Sequence, residues 1–431
     1  MNYLFLNLIK SVTIYHALEN SWISELQKVN TKNFTGLPEK NMTETGIEIF
    51  CRERPSWARN RRIGLLCNQA SVNSRLIHSR FLVNESFPGR LKAIFSPQHG
   101  MFGEKQDNMK ESGHELDMHL GIPVFSLYER KRAPSKEQLD LVDLFVIDLQ
   151  DVGTRVYTYI WTMLLAMKAC TELGVAVAVL DRPNPLGGQK VEGNILEEQF
   201  HSFVGMAPIP MRHGLTMGEL ALMFKSLFCP GLELHIIRMR GWKRNMLYPE
   251  TGLPWVLPSP NMPVFETALV YPGQVILEGT NLSEGRGTTR PFEIFGAPYI
   301  DTMRLNRELG SLKGCFLREQ FFEPTFNKWR GRRCMGFQIH VTDPDAFMPY
   351  RFTLGLLSSI LRNYPADFSW SSPPYEYEFE KLPADLIIGS KTIRKALEQG
   401  VDGEELGQAL EQHERAFEDQ RRKWLLYPAD S

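Results

Sequence analysis

The chain has 431 residues, more than one hydrophobic core of ordinary size organises, so two domains are expected. Its 49 Lys and Arg nearly balance 50 Asp and Glu, for a formal net charge of -1. Without a basic stripe there is no electrostatic footprint for nucleic acid or an anionic membrane, and a small ligand is the expected partner.

Residues 1–41 open with an apolar patch that Lys10 interrupts, and no small-residue cleavage site follows. They are read as an extension or a mis-assigned start, too short for a membrane span and unlike a signal peptide, which leans toward a cytoplasmic protein. Six cysteines without a C-x-x-C pair, several in apolar runs, read as buried free thiols.

From residue 62, short apolar runs alternate with amphipathic stretches. Strands are expected at Ile63–Cys67, Leu91–Phe95, Val124–Leu127, Leu144–Asp148, Val175–Leu180 and Leu234–Met239. Continuous apolar runs of this length fit strands covered on both faces. Helices are expected at Thr158–Leu173 and Thr216–Phe228, which makes the first domain, 42–263, a Rossmann-like, mostly parallel wound sheet. After about residue 240, Pro and Gly become dense, and the boundary falls near Pro263. The remainder, 264–431, reads as a smaller α+β domain, with a strand at Phe337–Val341 and helices at Arg351–Arg362 and Glu404–Leu426.

In a wound parallel sheet, ligands bind outside the carboxyl ends of the strands. The residues that follow each apolar run are therefore the informative ones. They are Gln98-His99 with Glu104, then Asp151 and Arg155, then Asp181-Arg182 and Asn184. Any one of these is as readily an N-cap or a local ion pair, but three polar clusters on one edge suggest a site. The turn after the first strand, Asn68-Gln69-Ala70-Ser71, lacks G-x-G-x-x-G, so no dinucleotide cofactor is expected. Further candidates are Arg212-His213 and Asn261. The glycine-rich run Glu278–Arg290, which contains Asn281, Glu284 and Arg286, adds two acids and two arginines. His99, His114 and His119 lack metal-ligand spacing, and no metal is expected.

Taken together, FSPQHGMFGE, VIDLQDVGTRVYTY, LDRPNPLGG, PMRHGLTMGELA, PSPNMP and LEGTNLSEGRGTTRPFE resemble the NamZ-type exo-β-N-acetylmuramidases, formerly a family of unknown function. The resemblance runs from about residue 60 to PPYEYE at 373–378. It implies a Rossmann-like domain, a smaller second domain, a cleft between them, and release of terminal N-acetylmuramic acid from peptidoglycan fragments. The family's strand-end motif is Pro-Glu-His-Gly, whose Glu is its proposed acid. This chain carries Gln98 there, and Phe102 replaces a usual arginine.

An amide cannot protonate a leaving glycosidic oxygen, so the acid must come from elsewhere, with Glu104, Asp151 and Glu284 as candidates. For an N-acetyl sugar the substrate's own acetamide can act as nucleophile, leaving one protein acid plus orienting groups. His99, Asn184, Arg212 and Arg286 are the expected orienting groups for the sugar and its lactyl carboxylate. The alternatives are an amino-sugar-binding protein that lost the chemistry at Gln98, or an enzyme of another reaction type on a related sugar.

Overall fold

The computed structural model describes residues 42–103, 115–128 and 132–428. Residues 1–41, Glu104 and His114 lie outside them. The described residues from Thr43 onward cohere as one unit.

Seven strands form the main sheet: β1 Ile63–Leu66, β2 Leu91–Ser96, β3 Glu115–Leu116, β4 Pro123–Ser126, β5 Leu144–Ile147, β6 Ala176–Leu180 and β7 Leu234–Ile237. Their order is β3-β4-β2-β1-β5-β6-β7, parallel throughout except for the short edge pair β3–β4. Without that edge strand this is the order of a doubly wound dinucleotide fold. The six strands expected from the sequence are all present, with ends displaced by one or two residues. β1, β5 and β6 are buried at every position, as strands covered on both faces must be. The helices Tyr159–Leu173 and Met217–Phe228 pack against the sheet and each other. Thr216 caps the second with a capping box to Glu219.

The second, smaller domain holds three antiparallel strands, β8 Ile294–Ala297, β9 Cys315–Phe322 and β10 Cys334–Val341, in the order β8-β10-β9. Helices Pro349–Asn363, Pro383–Ile388 and Gly403–Arg421 belong to it. The Pro- and Gly-rich stretch that reads as irregular contains a helix, Phe265–Gln274, with Pro272 and Gly273 in its last turn. A proline this late in a helix is tolerated when packing holds the turn. Gly273 lies against the Pro349 carbonyl and the Thr353 side chain, an approach with no room for a Cβ. One apolar core runs unbroken from Leu66 and Phe145 in the large sheet through Tyr271 and Phe295 to Leu357. The two sheets therefore share a core.

Arg155 joins the two parts. Its guanidinium is fully buried and donates to the carbonyls of Asn194 and Ile209, each at 3.1 Å, and of Ile387 and Ile388, at 2.7 and 2.8 Å. The last two belong to the C-terminal turn of the helix Pro383–Ile388, where unpaired carbonyls favour a cation. Burial pulls its pKa down to about 10, which leaves it charged at neutral pH. Arg155→Met is expected to lower the unfolding free energy by about 3 kcal/mol or more, because it strands several buried carbonyls. Urea denaturation followed by tryptophan fluorescence checks this, and a loss below about 1 kcal/mol would mean that the carbonyls find other donors.

Candidate active site

The crevice at the carboxyl ends of β1 and β5, where a wound sheet takes its ligand, is filled by the protein itself. Asn68 Nδ2 donates to the Pro258 carbonyl at 2.8 Å and to the Tyr159 hydroxyl at 2.7 Å, and Tyr159 donates to the same carbonyl at 2.5 Å. Gln69 adds a bond to the Leu257 carbonyl at 3.0 Å. The segment around Pro258 thus closes this part of the sheet edge.

The open hollow lies beside it. It is lined by Gln98 and His99 after β2, by Tyr157–Tyr159, by Ser259 and Asn261, and by Glu278, Arg286, Tyr375 and Glu376 from the C-terminal half. His99 and Gly100 both take positive φ, 74° and 83°, so the chain turns sharply on leaving β2. Gln98 is 4% exposed and its amide is held at both ends. Its oxygen accepts from the Thr158 hydroxyl at 2.7 Å. Its nitrogen donates to the Tyr128 hydroxyl and to Glu376 Oε1, each at 3.2 Å.

Glu376 sits on a two-residue turn closed by Tyr375 and Glu378, whose backbones exchange two bonds of 2.9 Å. Glu376 and Tyr377, at its centre, have φ of 48° and 64°. That geometry ordinarily selects Asn and Gly, and a bulky residue adopts it at a cost of about 1–2 kcal/mol. Side-chain contacts hold the turn in place. Tyr128 donates to Glu376 Oε2 at 2.8 Å, and Arg132 donates to the Glu376 carbonyl at 3.0 Å while lying 3.8 Å from Oε2. The Arg132 guanidinium also stacks on Phe203 at 3.8 Å and Tyr377 at 4.7 Å. Burial pushes the Glu376 carboxyl above its usual range, and the neighbouring Glu278 adds to this. Tyr128, Arg132 and Gln98 pull the other way without cancelling it.

Glu278 ion-pairs with Arg286 and accepts from the Tyr375 hydroxyl at 2.6 Å. Gly285 and Gly287, with φ of 79° and 82°, flank Arg286 and give the loop its bend. Glu284 is buried behind it, 2.8 Å from Lys328 and 3.6 Å from Arg286 Nε. Burial raises its pKa, but Lys328 and Arg286 together bring it below the usual carboxylate range. It therefore stays charged and is poorly placed to give up a proton.

The strand-end residues divide into two groups. Gln98, His99, Asn261, Glu278 and Arg286 line the hollow, whereas Asp151, Arg155, Asp181, Arg182, Asn184, Arg212, His213, Asn281 and Glu284 do not. The residues of the second group make internal contacts instead. Asp181 caps the helix Met217–Phe228 through Gly218 N and the Thr216 hydroxyl, each at 2.8 Å, and accepts from Tyr427 at 2.6 Å. Arg182 forms a bidentate pair with Asp148 at 2.6 and 2.9 Å.

Asn184 bridges Leu186 N and the Leu215 carbonyl, both at 3.0 Å, and Arg212 donates to the Leu186 carbonyl. Asn281 donates to the Asp367 carbonyl at 2.7 Å and accepts from Tyr299. Arg155 forms the clasp described above. Asp151 accepts from Gly153 N at 2.7 Å and lies 3.3 Å from fully buried His213. Glu104 lies outside the described residues.

Among the lining or supporting residues that escaped sequence reading are Tyr128, Arg132, Tyr157, Thr158, Tyr271, Tyr375 and Glu376. PPYEYE carries a visible signal, two acids between aromatics, but no Gly or Asn marks its turn. Among the described residues no cluster of His, Cys, Asp and Glu is arranged to hold a metal, and no helix is long and apolar enough to cross a membrane.

Two family models match the chain, Exo-β-N-acetylmuramidase NamZ, N-terminal, over residues 63–266 and its C-terminal counterpart over 269–427. A peptidoglycan β-N-acetylmuramidase NamZ of Bacillus subtilis (strain 168) is 42% identical over 400 residues, covering 92% of this chain and 94% of its own length. Two crystal structures of DUF1343 family proteins from Bacteroides fragilis NCTC 9343 share the fold. One has a TM-score of 0.81 at 32% identity, spanning 90% of this chain and 100% of its own. The other has a TM-score of 0.68 at 27% identity, spanning 89% and 99%. With both halves matched in order and a relative aligned over nearly its whole length, the chain belongs to the NamZ exo-β-N-acetylmuramidase family.

Proposed function

We propose that the chain is an exo-acting β-N-acetylmuramidase that releases N-acetylmuramic acid from the non-reducing end of peptidoglycan fragments. The observation that carries this reading is the meeting of two carboxyls, buried Glu376 and Glu278 with its side chain 7% exposed, with Arg286 and an aromatic wall on one hollow. Cleaving a glycosidic bond calls for a carboxylic acid to protonate the leaving oxygen, and the substrate's acetamide can trap C1. Tyr157, Tyr271 and Tyr375 keep neutral hydroxyls, since burial raises each well above its usual range. They offer apolar faces and hydrogen bonds to a sugar ring. Arg286 is the cation on the lining that a lactyl carboxylate would meet, and the relative from Bacillus subtilis acts on peptidoglycan by its name.

Gln98 favours a second reading. Its amide is fully satisfied where the family places its acid, as expected of a chain that kept the hollow for binding and lost the chemistry.

Release of the aglycone from a chromogenic N-acetylmuramide tests the first reading. The muramide is expected to be cleaved about 10- to 100-fold better, in kcat/KM, than the corresponding N-acetylglucosaminide, which lacks the carboxylate and so one charge-assisted contact of about 1.5–3 kcal/mol. Equal rates on both would remove Arg286 from substrate recognition, and no turnover of either would refute the hydrolase.

Gln98→Glu decides between the two readings. For a working hydrolase we expect a change in kcat of less than about 10-fold, whereas a gain on the order of 10³-fold would mean that the native chain had lost its acid. Tight muramide binding without turnover would accompany that outcome.

A further inference from the structure

We infer that Glu376, carried on the strained turn Tyr375–Glu378, is the proton donor of this hydrolase. The inference rests on the muramidase reading and names the acid that position 98 lacks.

Elimination among the carboxyls of the described residues points to it. Glu278 is bound to Arg286 and to Tyr375, so its negative charge is matched by a cation at contact distance. Glu284 is matched by Lys328 at 2.8 Å and is not on the lining. Asp151 is also absent from the lining and accepts from Gly153 N, with His213 3.3 Å away. Glu376 is on the lining, is 4% exposed, and has the Arg132 guanidinium 3.8 Å from its carboxylate rather than at contact distance. That guanidinium is directed instead to the Glu376 backbone carbonyl and to two aromatic rings.

The groups facing Glu376 come from several elements. Gln98 and Tyr128 donate to its two oxygens. Arg132 supplies a partial positive field, and Glu278 supplies a negative one that disfavours a second charge on Glu376. Tyr271 and Tyr375 are neutral, and His99 and Arg286 share the lining. A like-charged neighbour together with burial keeps a carboxyl protonated into the range where an acid catalyst works.

The strained backbone is a second, independent observation. Two adjacent non-glycine residues with positive φ persist only where the surroundings over-determine them. Here three side chains fix the turn so that Glu376 faces the hollow.

In the reaction, the Glu376 proton passes to the glycosidic oxygen as the C1–O bond breaks and its electron pair moves to that oxygen. The aglycone leaves as an alcohol, and the acetamide oxygen of the same sugar closes on C1. Water then attacks C1, gives its proton to the Glu376 carboxylate and opens that ring, which releases N-acetylmuramic acid and restores the acid.

The test compares two substrates, an N-acetylmuramide with a sugar aglycone, which must be protonated to leave, and a dinitrophenyl N-acetylmuramide, which need not be. In kcat/KM, which reports the bond-breaking step and not the later attack of water, Glu376→Gln is expected to lose about 10³-fold or more on the first and less than about 10-fold on the second. Equal losses on both substrates, or none on either, would overturn the assignment.

The native protein supplies the same discrimination without a variant. With the poor leaving group, kcat falls as pH rises through the raised pKa of Glu376, because the protonated form is the active one, and this alkaline limb is absent with dinitrophenolate leaving. The same limb on both substrates would overturn the inference. A native chain that cleaves neither substrate would overturn the muramidase reading, and this inference with it.

Discussion

A guanidinium with no carboxylate beside it sets the geometry on which the rest depends. Arg155 leaves the loop after β5 and binds carbonyls of the first domain on one side and the end of the helix Pro383–Ile388 on the other. Buried charge is costly unless several donors and acceptors are matched, and this matching is satisfied in one relative placement of the two halves. The hollow needs that placement, because Gln98 comes from one half and Glu376 from the other, 278 residues apart in sequence and 3.2 Å apart in space. A hinge at that boundary would part the amide from the carboxyl. The continuous apolar core through both halves opposes such a hinge for the same reason.

The filled crevice explains why the hollow is displaced from the usual position for its strand order. With Pro258, Tyr159 and Asn68 closing the ends of β1 and β5, the free edge is the one next to β2 and β4. The loops leaving those strands carry Gln98 and Tyr128. The residues after β5 and β6 face a packed interior instead, and they became clasps and caps: Asp181 for a helix start, Arg182 for Asp148, Arg155 for four carbonyls. A polar residue at a strand end is a ligand group only when the crevice in front of it is empty.

The large sheet was legible in the sequence because its strands are buried on both faces and read as unbroken apolar runs. β9 was not, since Cys315–Phe322 mixes Arg318, Glu319 and Gln320 with aromatics and exposes much of itself. The helix Phe265–Gln274 was hidden by Pro272 and Gly273, residues that break a pattern locally but are accommodated here by close packing on the helix Pro349–Asn363. In the hollow, sequence reading reached the residues that follow strands and glycines: Gln98, His99, Asn261, Glu278 and Arg286. It missed Glu376 because the turn that aims it violates local preference. Nothing in Tyr-Glu-Tyr-Glu announces two left-handed residues, and only the tertiary contacts of Tyr128 and Arg132 impose them.

The exchange of carboxyl for amide at position 98 is informative for this reason. Glutamine has the shape of a protonated glutamic acid and presents a donor toward Glu376 at every pH, whereas a carboxyl there would do so only while it held a proton. Two carboxyls at this distance would share one proton and titrate as a pair. With Gln98 in place, the pair has a single ionisable member, and the proton that must be shared in a two-carboxyl site belongs to Glu376 alone. The substitution thus removes an acid from one side of the contact while preserving the geometry that holds the carboxyl on the other side. Arg132, turned toward a backbone carbonyl and aromatic faces rather than into a tight ion pair, leaves that carboxyl able to exist in both protonation states. An ion pair of the kind that fixes Glu284 to Lys328 would have denied it one of them.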